Sequence, residues 1–426
     1  MSIPELDEFP EQARRPADAP LPLAGVKVVD FTHFIAGPLA TMILADMGAD
    51  VIKVEAPGRG DEFRYYPPAH DADPTLGAPY LWSNRNKRSI ALDLKSARGV
   101  RIAHELIADA DVVAENFSSG VMERLGLDYA TCKALNEGLV YCSVSAYGRD
   151  GAFADRVGFD PIAQAESGFV SMNGYADREG VRALSPVMDI STAMMAANAI
   201  LGALYARART GIGQAIELSL FDTAVLMTGY ASLQTLFTGE DPQRHGNTSP
   251  DTCPSGVFRA ADRSFYINCG NNKIYQRLMR QVVGRPELAD DPVLADRNGR
   301  IARREELFAI LGEAFAQQPW AHWQQRMREA GIPCGEVRTV GEALRSPEAR
   351  ARGLVGKVAH RTGWLPNIAS PIRYTATPMA DPVPAPSVGE HTEQVLRELG
   401  YDDAALGELA AAGVVGGVSR PAEDLA

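Results

Sequence analysis

Along the chain, short runs of β-branched residues alternate with longer stretches whose apolar positions recur at helical spacing, beginning at residue 26. Val26-Lys27-Val28-Val29-Asp30-Phe31 reads as a strand, Gly37-Pro38 as the entry to a helix over 39–47, and Gly48 as its stop. Val51-Ile52-Lys53-Val54-Glu55 is the next strand. A strand, a helix and a second strand in that succession predict a right-handed parallel crossover. The pattern repeats with strand 89–94, helix 96–110 with Ser96 at its N-cap, strand 111–116, helix 129–136 and strand 139–146. A long helix over 190–209 closes on Thr210-Gly211, with Arg207 and Arg209 where cations suit the dipole. Strand 214–220 and helix 222–237 follow. The predicted fold class is α/β, built on a doubly wound, mostly parallel sheet.

From about residue 240 the texture changes. Two short apolar runs, 256–259 and 265–268, flank Ala261-Asp262-Arg263-Ser264 and predict a hairpin. Amphipathic helices are predicted over 273–283, 303–317 and 320–330. The domain reading is therefore a flexible arm over 1–22, a large domain over 23–225, a smaller α+β domain over 226–345, and a C-terminal segment over 346–426. That last segment carries strand-like stretches, a proline-rich linker over 378–386 and a final helix over 391–399.

Composition narrows the function classes. The 426 residues are 46% hydrophobic and 23% charged, ordinary for a globular chain of two or three domains. A net charge of −12 lacks the basic footprint of a nucleic-acid binder. Five scattered cysteines form no CxxC, so neither a disulfide framework nor a zinc ribbon is indicated. The proline-rich, acidic start has no signal-peptide character, and the longest apolar stretch, 193–206, is too short to span a bilayer. The expectation is a soluble, cytoplasmic protein.

The first βαβ unit invites a dinucleotide reading, with Glu55 placed as a ribose-binding acid. The loop Thr32-His33-Phe34-Ile35-Ala36-Gly37-Pro38 lacks GxGxxG, however, and no pyrophosphate could approach its backbone closely. GxxxxGK[ST], HExxH and GxSxG are absent too. Seven histidines are dispersed, and His33, His245 and His391 sit beside loop signals, where an unpaired histidine is more often surface or packing than ligand. Asp189 is more informative, because it stands just before the long alanine-rich helix. The plain reading is an N-cap. The chemical reading is a carboxylate kept ionised by the dipole, ready to attack an acyl carbon, with Ser185, Ser191, Thr192 and Ala193 leaving room for a substrate.

Runs spread over 22–415 resemble the class III CoA-transferases, the carnitine dehydratase / bile-acid-inducible protein F (CaiB/BaiF) family. They include Pro22-Leu23-Ala24-Gly25-Val26-Lys27-Val28-Val29-Asp30, Ala36-Gly37-Pro38 and Asn86-Lys87-Arg88-Ser89-Ile90-Ala91-Leu92-Asp93-Leu94. Asp111-Val112-Val113-Ala114-Glu115-Asn116-Phe117, Gly158-Phe159-Asp160-Pro161-Ile162-Ala163-Gln164, Gly331-Ile332-Pro333-Cys334-Gly335 and Gly389-Glu390-His391-Thr392 complete the order. The resemblance implies a Rossmann-like large domain, a small domain and an interlocked homodimer. It also implies transfer of CoA from an acyl-CoA to a free carboxylic acid, with no metal and no permanently bound cofactor. Asp189 then matches the catalytic aspartate, forming an aspartyl anhydride and an aspartyl-CoA thioester. By position, the family's CoA contacts fall on Ile35, Ala36, Leu92, Asp93, Leu94, Lys95, Asn116, Phe117, Ser118, Arg124, Arg156 and Val157. Lys87 and Arg88, in the basic cluster 84–88, are further candidates against the alternative of a solvated turn.

Three departures bear on specificity. Ala56 follows Glu55 where some members place a nucleotide-contacting arginine, with Arg59 as the possible substitute. The glycine run of formyl-CoA:oxalate transferases is missing near His245-Gly246-Asn247, which argues against formyl or oxalate specificity. Phe159 stands where the acyl-CoA racemases of this fold have a histidine, and phenylalanine cannot move a proton, so transfer is favoured over racemisation. A non-catalytic acyl-CoA binder, with Asp189 only capping its helix, is the alternative from another class.

Overall fold

The computed structural model describes residues 6–417; the first five residues of the predicted arm and residues 418–426 of the C-terminal segment lie outside the described residues. The described residues form two compact units, one of residues 6–169, 183–229 and 347–417, the other of Val170–Arg182 and Tyr230–Ser346.

The larger unit is organised by seven strands: β1 (Lys27–Asp30), β2 (Asp50–Glu55), β3 (Lys87–Leu92), β4 (Val112–Glu115), β5 (Val140–Ser145), β6 (Gln214–Ser219) and β7 (Val415–Gly416). Their order is β7-β3-β2-β1-β4-β5-β6, parallel throughout except β7, which runs antiparallel to β3. Strands covered on both faces must be apolar on both, and β1 shows why the sequence reads as a continuous run. Val29 enters one core with Val54, Ile90, Val113 and the buried face of helix α2 (Ala97–Ala108). Val28 enters the other with Val51, Val112, Val140 and helix α1 (Ala36–Asp46). Helix α3 (Asp160–Glu166) and the 24-residue helix α4 (Val187–Thr210) lie on this second side, where Met188, Ala193, Ala196 and Ile200 are buried. By length and apolar composition α4 could cross a membrane; one face of it packs against α1 and β5.

The strand order reverses between β1 and β4. In open parallel sheets that reversal opens a crevice at the carboxyl ends of the two strands, where ligands bind. The loops after β1 and β4 are residues 31–35 and 116–118; the first ends on Ile35 and the second consists of Asn116, Phe117 and Ser118, all expected CoA contacts.

The smaller unit pairs Ser255–Arg259 with Ser264–Asn268, as the hairpin signal predicts, and adds Cys334–Glu336 to their antiparallel sheet. Phe258, Phe265, Phe315, Trp320 and Trp323 fill its core.

Several elements differ from the sequence reading. Gly229 adopts φ +64° and divides helix 222–237 into Leu220–Leu226 and Tyr230–Thr238. The helix over 273–283 changes at Leu278 into a π turn. Thr392–Glu398 is not the last helix, since Asp403–Ala411 and β7 follow it. The arm is not loose from residue 6 onward. Gln12 donates its backbone N–H to Lys357 at 3.0 Å, Lys357 donates to Pro10 at 2.9 Å, and Arg15 donates to the Asp381 carboxylate at 2.7 Å. Composition alone does not register such long-range backbone pairing.

Candidate active site

The first loop is assembled from beneath. Asp30, the last residue of β1, is fully buried and accepts hydrogen bonds from Thr32 Oγ1 (2.6 Å), Thr41 Oγ1 (2.7 Å) and Lys87 Nζ (2.9 Å). The ammonium groups of Lys87 and Lys53 hold the Asp30 carboxyl well below the ordinary range, overcoming its burial. Lys53 also donates to the Thr32 carbonyl at 2.6 Å and sits 3.1 Å from Asp61. Gly37 lets the loop close, because a Cβ there would stand 2.3 Å from Thr32 Cβ. Asn116 then clasps the loop from β4: its Oδ1 accepts the His33 N–H and its Nδ2 donates to the His33 carbonyl, each at 2.8 Å. The Asn116 side chain therefore braces the switch-point crevice. Arg149 supports the same loop, donating to Phe117 O at 2.7 Å and pairing with the buried Glu115.

One expectation about charge is corrected here. The cluster 84–88 is neither a phosphate contact nor a solvated turn, because its cations are used internally. Arg85 pairs bidentately with Asp46, Lys87 is buried on Asp30, and Arg88 bridges Asp50 and Glu398. Glu55 holds no ribose, since it is buried against Arg64 and Ser89. Arg59, the possible substitute for the missing arginine, is exposed and paired with Glu62.

Asp189 lies in the first turn of α4, but it is not the cap. The N-cap position is Pro186, whose side chain can accept nothing. The orphan amides are met from elsewhere: Asp160 Oδ2 accepts the N–H of Met188 at 2.7 Å and that of Asp189 at 3.3 Å. Asp160 is buried at the start of α3 and is held in turn by Gln164 Nε2 at 2.5 Å, while Gln164 Oε1 accepts the Ala183 N–H at 2.8 Å. A carboxylate 28 residues upstream thus does the capping, and the Asp189 carboxylate accepts no hydrogen bond from the described residues. Nor does the dipole keep Asp189 strongly acidic. Burial, reinforced by the nearby Asp160 charge, pushes its carboxyl up to about 7. The group is mostly desolvated, unpartnered and half-ionised near neutrality, the condition of a poised nucleophile.

A second feature lies beyond β3. A groove of about 500 Å³ is lined by Leu94, Lys95, Val100, Arg101, His104 and Arg124 among others. It unites three of the expected contacts, Leu94, Lys95 and Arg124, and adds Arg101 and His104, which the sequence reading did not single out. Lys95, Arg98, Arg101 and His104 recur every three residues, so the signal was available as a basic helical stripe. The turn lies close over α2 because residue 99 is glycine; a Cβ there would come 2.0 Å from the Asp93 carbonyl. Leu92 is buried in the core, and Asp93 accepts the Lys95 N–H at 3.0 Å. Arg156 is engaged by Glu166 and lies 4.5 Å over the Tyr147 ring, while the adjacent Val157 is exposed. Phe159 stands 6.1 Å from the Phe34 ring, and His245 belongs to the smaller unit.

With this geometry established, likeness to known proteins decides the family. The description CoA-transferase family III matches residues 23–392. The chain belongs to CoA-transferase family III. It is 34% identical to the human succinyl-CoA:glutarate CoA-transferase, over 92% of this chain and 90% of that protein. It is 39% identical to the acetyl-CoA:oxalate CoA-transferase of Acetobacter aceti, over 80% and 87%. The crystal structure of a CaiB/BaiF family protein from Brucella suis superposes with a TM-score of 0.81 at 35% identity, covering 89% of this chain and all of that one. As a family III CoA-transferase the protein is an enzyme whose substrates are CoA thioesters.

Asp160→Asn separates capping from charge in this CoA-transferase. Asparagine keeps an oxygen for the two amides and removes the negative charge that raises Asp189, at the cost of the hydrogen bond from Gln164, whose Nε2 then meets an NH2 group. On the expectation that Asp189 is the attacking group, which requires its ionised form, activity should rise with pH through about 7 in the wild type. In the variant that limb should move to lower pH, with roughly threefold higher relative activity at pH 6. A pH–kcat profile checks it; an unmoved limb would mean the Asp160 charge does not act on Asp189.

Proposed function

We propose that the enzyme moves CoA from an acyl-CoA donor to a short dicarboxylic acid through covalent intermediates on Asp189. An Asp189 oxygen attacks the donor carbonyl, forming a mixed anhydride and expelling the CoA thiolate. The thiolate attacks the Asp189 carbonyl carbon, giving an aspartyl-CoA thioester and releasing the donor acid. The acceptor carboxylate attacks that thioester, expelling thiolate again and leaving an anhydride with the acceptor. Thiolate attack on the acceptor's acyl carbon then forms the product thioester and regenerates the Asp189 carboxylate. One thioester replaces another, so no external energy source is required. The observation that carries this reading is the unpartnered Asp189 carboxylate at the mouth of α4, its helix capped by another residue.

CoA binding at the carboxyl ends of β1, β3 and β4 completes the proposal. Ile35 and Ala36, the 93–95 turn and the 116–118 loop would line the arm of CoA, and Lys95, Arg101 and Arg124 would meet its phosphates. The working form is proposed to be an interlocked homodimer, consistent with the exposure of Met194 (55%) and Tyr205 (66%) along α4. Dicarboxylate specificity draws on relatives such as the human succinyl-CoA:glutarate enzyme.

The test incubates acyl-CoA donors with a panel of carboxylic acids in D2O and follows both thioesters by mass spectrometry. CoA should pass to at least one dicarboxylate without deuterium entering the α-carbon, since Phe159 provides no second base. Deuterium wash-in without transfer would replace this reading with racemisation.

A further inference from the structure

Within the larger unit, at the far end of α1 from the switch point, the chain builds another pocket, of about 340 Å³. Asp46 closes α1 and Ile35 precedes it, so its 11 residues put roughly 16 Å between the two ends. Residues 12–16 form one wall, residues 352–353 and 367–374 another, and Arg85 with Asp46 the floor.

Five arginines line this pocket (Arg14, Arg15, Arg85, Arg352 and Arg373) against two aspartates, Asp46 and Asp381, a surplus of three positive charges in a chain of net charge −12. The aspartates are already engaged. Asp46 receives Arg85 at 2.9 and 2.5 Å and Asn86 at 2.8 Å, while Asp381 accepts the Arg15 backbone N–H. Arg15 and Arg373 spend guanidinium N–H groups on the neutral carbonyls of Ala19 and Arg352, which leaves their charge uncompensated. Arg14 and Arg352 make no side-chain hydrogen bond or ion pair among the described residues. The hydroxyls of Ser370 and Tyr374 add donors at the same wall. Single surface arginines are commonly just solvated; here five converge on one concavity in which Asp381 is the one lining carboxylate not already paired with a cation.

We propose that this pocket binds a small multivalent oxyanion, one bearing two or more carboxylate or phosphate charges, through its guanidinium forks. A monovalent acid would neutralise too little of the surplus. The site does not depend on the chemistry at Asp189.

Calorimetric titration and thermal melting of the whole protein, with CoA present throughout, provide the test, using inorganic phosphate, tricarballylate, acetate and chloride at matched ionic strength. One equivalent of phosphate or tricarballylate should bind and raise Tm by several degrees at about 100-fold excess over Kd, while acetate and chloride do not. In the double variant Arg14→Ser/Arg352→Ser, both exposed positions, Kd should weaken at least tenfold with the transfer rate unchanged. Tricarballylate alone would assign a polycarboxylate and phosphate alone a phosphate ester. Binding of neither, or equal affinity in wild type and variant, would overturn the proposal.

Discussion

Asp189→Ala is expected to lower kcat for CoA transfer by at least about 10⁴-fold, because every covalent step of the proposed cycle passes through that carboxylate. Binding of CoA itself should stay within about threefold of wild type, since the groove beside α2 and the loops after β1 and β4 are untouched. The same site makes a second, opposite claim about stability. A carboxyl whose pKa is about 7 when folded, against an ordinary value when unfolded, keeps its proton in the native state across that interval. The native state therefore binds more protons than the unfolded chain there, and stability falls as pH rises from about 4 to about 7. Asp189→Asn, which cannot ionise, should melt higher than wild type above pH 7 while remaining inactive. Activity and stability would then be opposed at one residue, as expected where a group is held in an unfavourable state for function. Equal melting temperatures at pH 8 would mean that Asp189 is less desolvated than its surroundings indicate.

Lys87→Met should destabilise the fold by about 3–5 kcal/mol, measured by urea unfolding at pH 7.5, because it leaves the Asp30 carboxylate buried without its closest cation. The loss should shrink at acid pH, where Asp30 can take up a proton, and Asp30→Asn/Lys87→Met should recover a large part of it. Since Asp30 also receives Thr32 and Thr41, the single variant should loosen the first loop and raise KM for the acyl-CoA. A loss under 1 kcal/mol would mean Lys53 alone suffices to balance Asp30.

The sheet was legible because parallel strands covered on both faces must be apolar on both, and Val28 and Val29 announce this in consecutive residues. Asp189 was legible as a helix-start carboxylate, but its freedom was not. The cap comes from Asp160 across a tertiary contact, and local sequence shows only which residue is near a helix start, not whether another element has already satisfied the amides. Basic composition misled in the same way. Lys87 looked available for phosphate because counting charges does not reveal a buried partner 57 residues earlier in the chain. The stripe from Lys95 to His104 is the converse, a regular helical spacing of cations that lines the groove beside α2.

The most direct measurement is covalent. Wild-type enzyme incubated with an acyl-CoA in the presence of hydroxylamine, then digested and weighed, should carry a hydroxamate on the peptide containing Asp189, and none when the acyl-CoA is omitted. Sustained turnover with that peptide unlabelled, or a hydroxamate on a different carboxylate, would contradict the account.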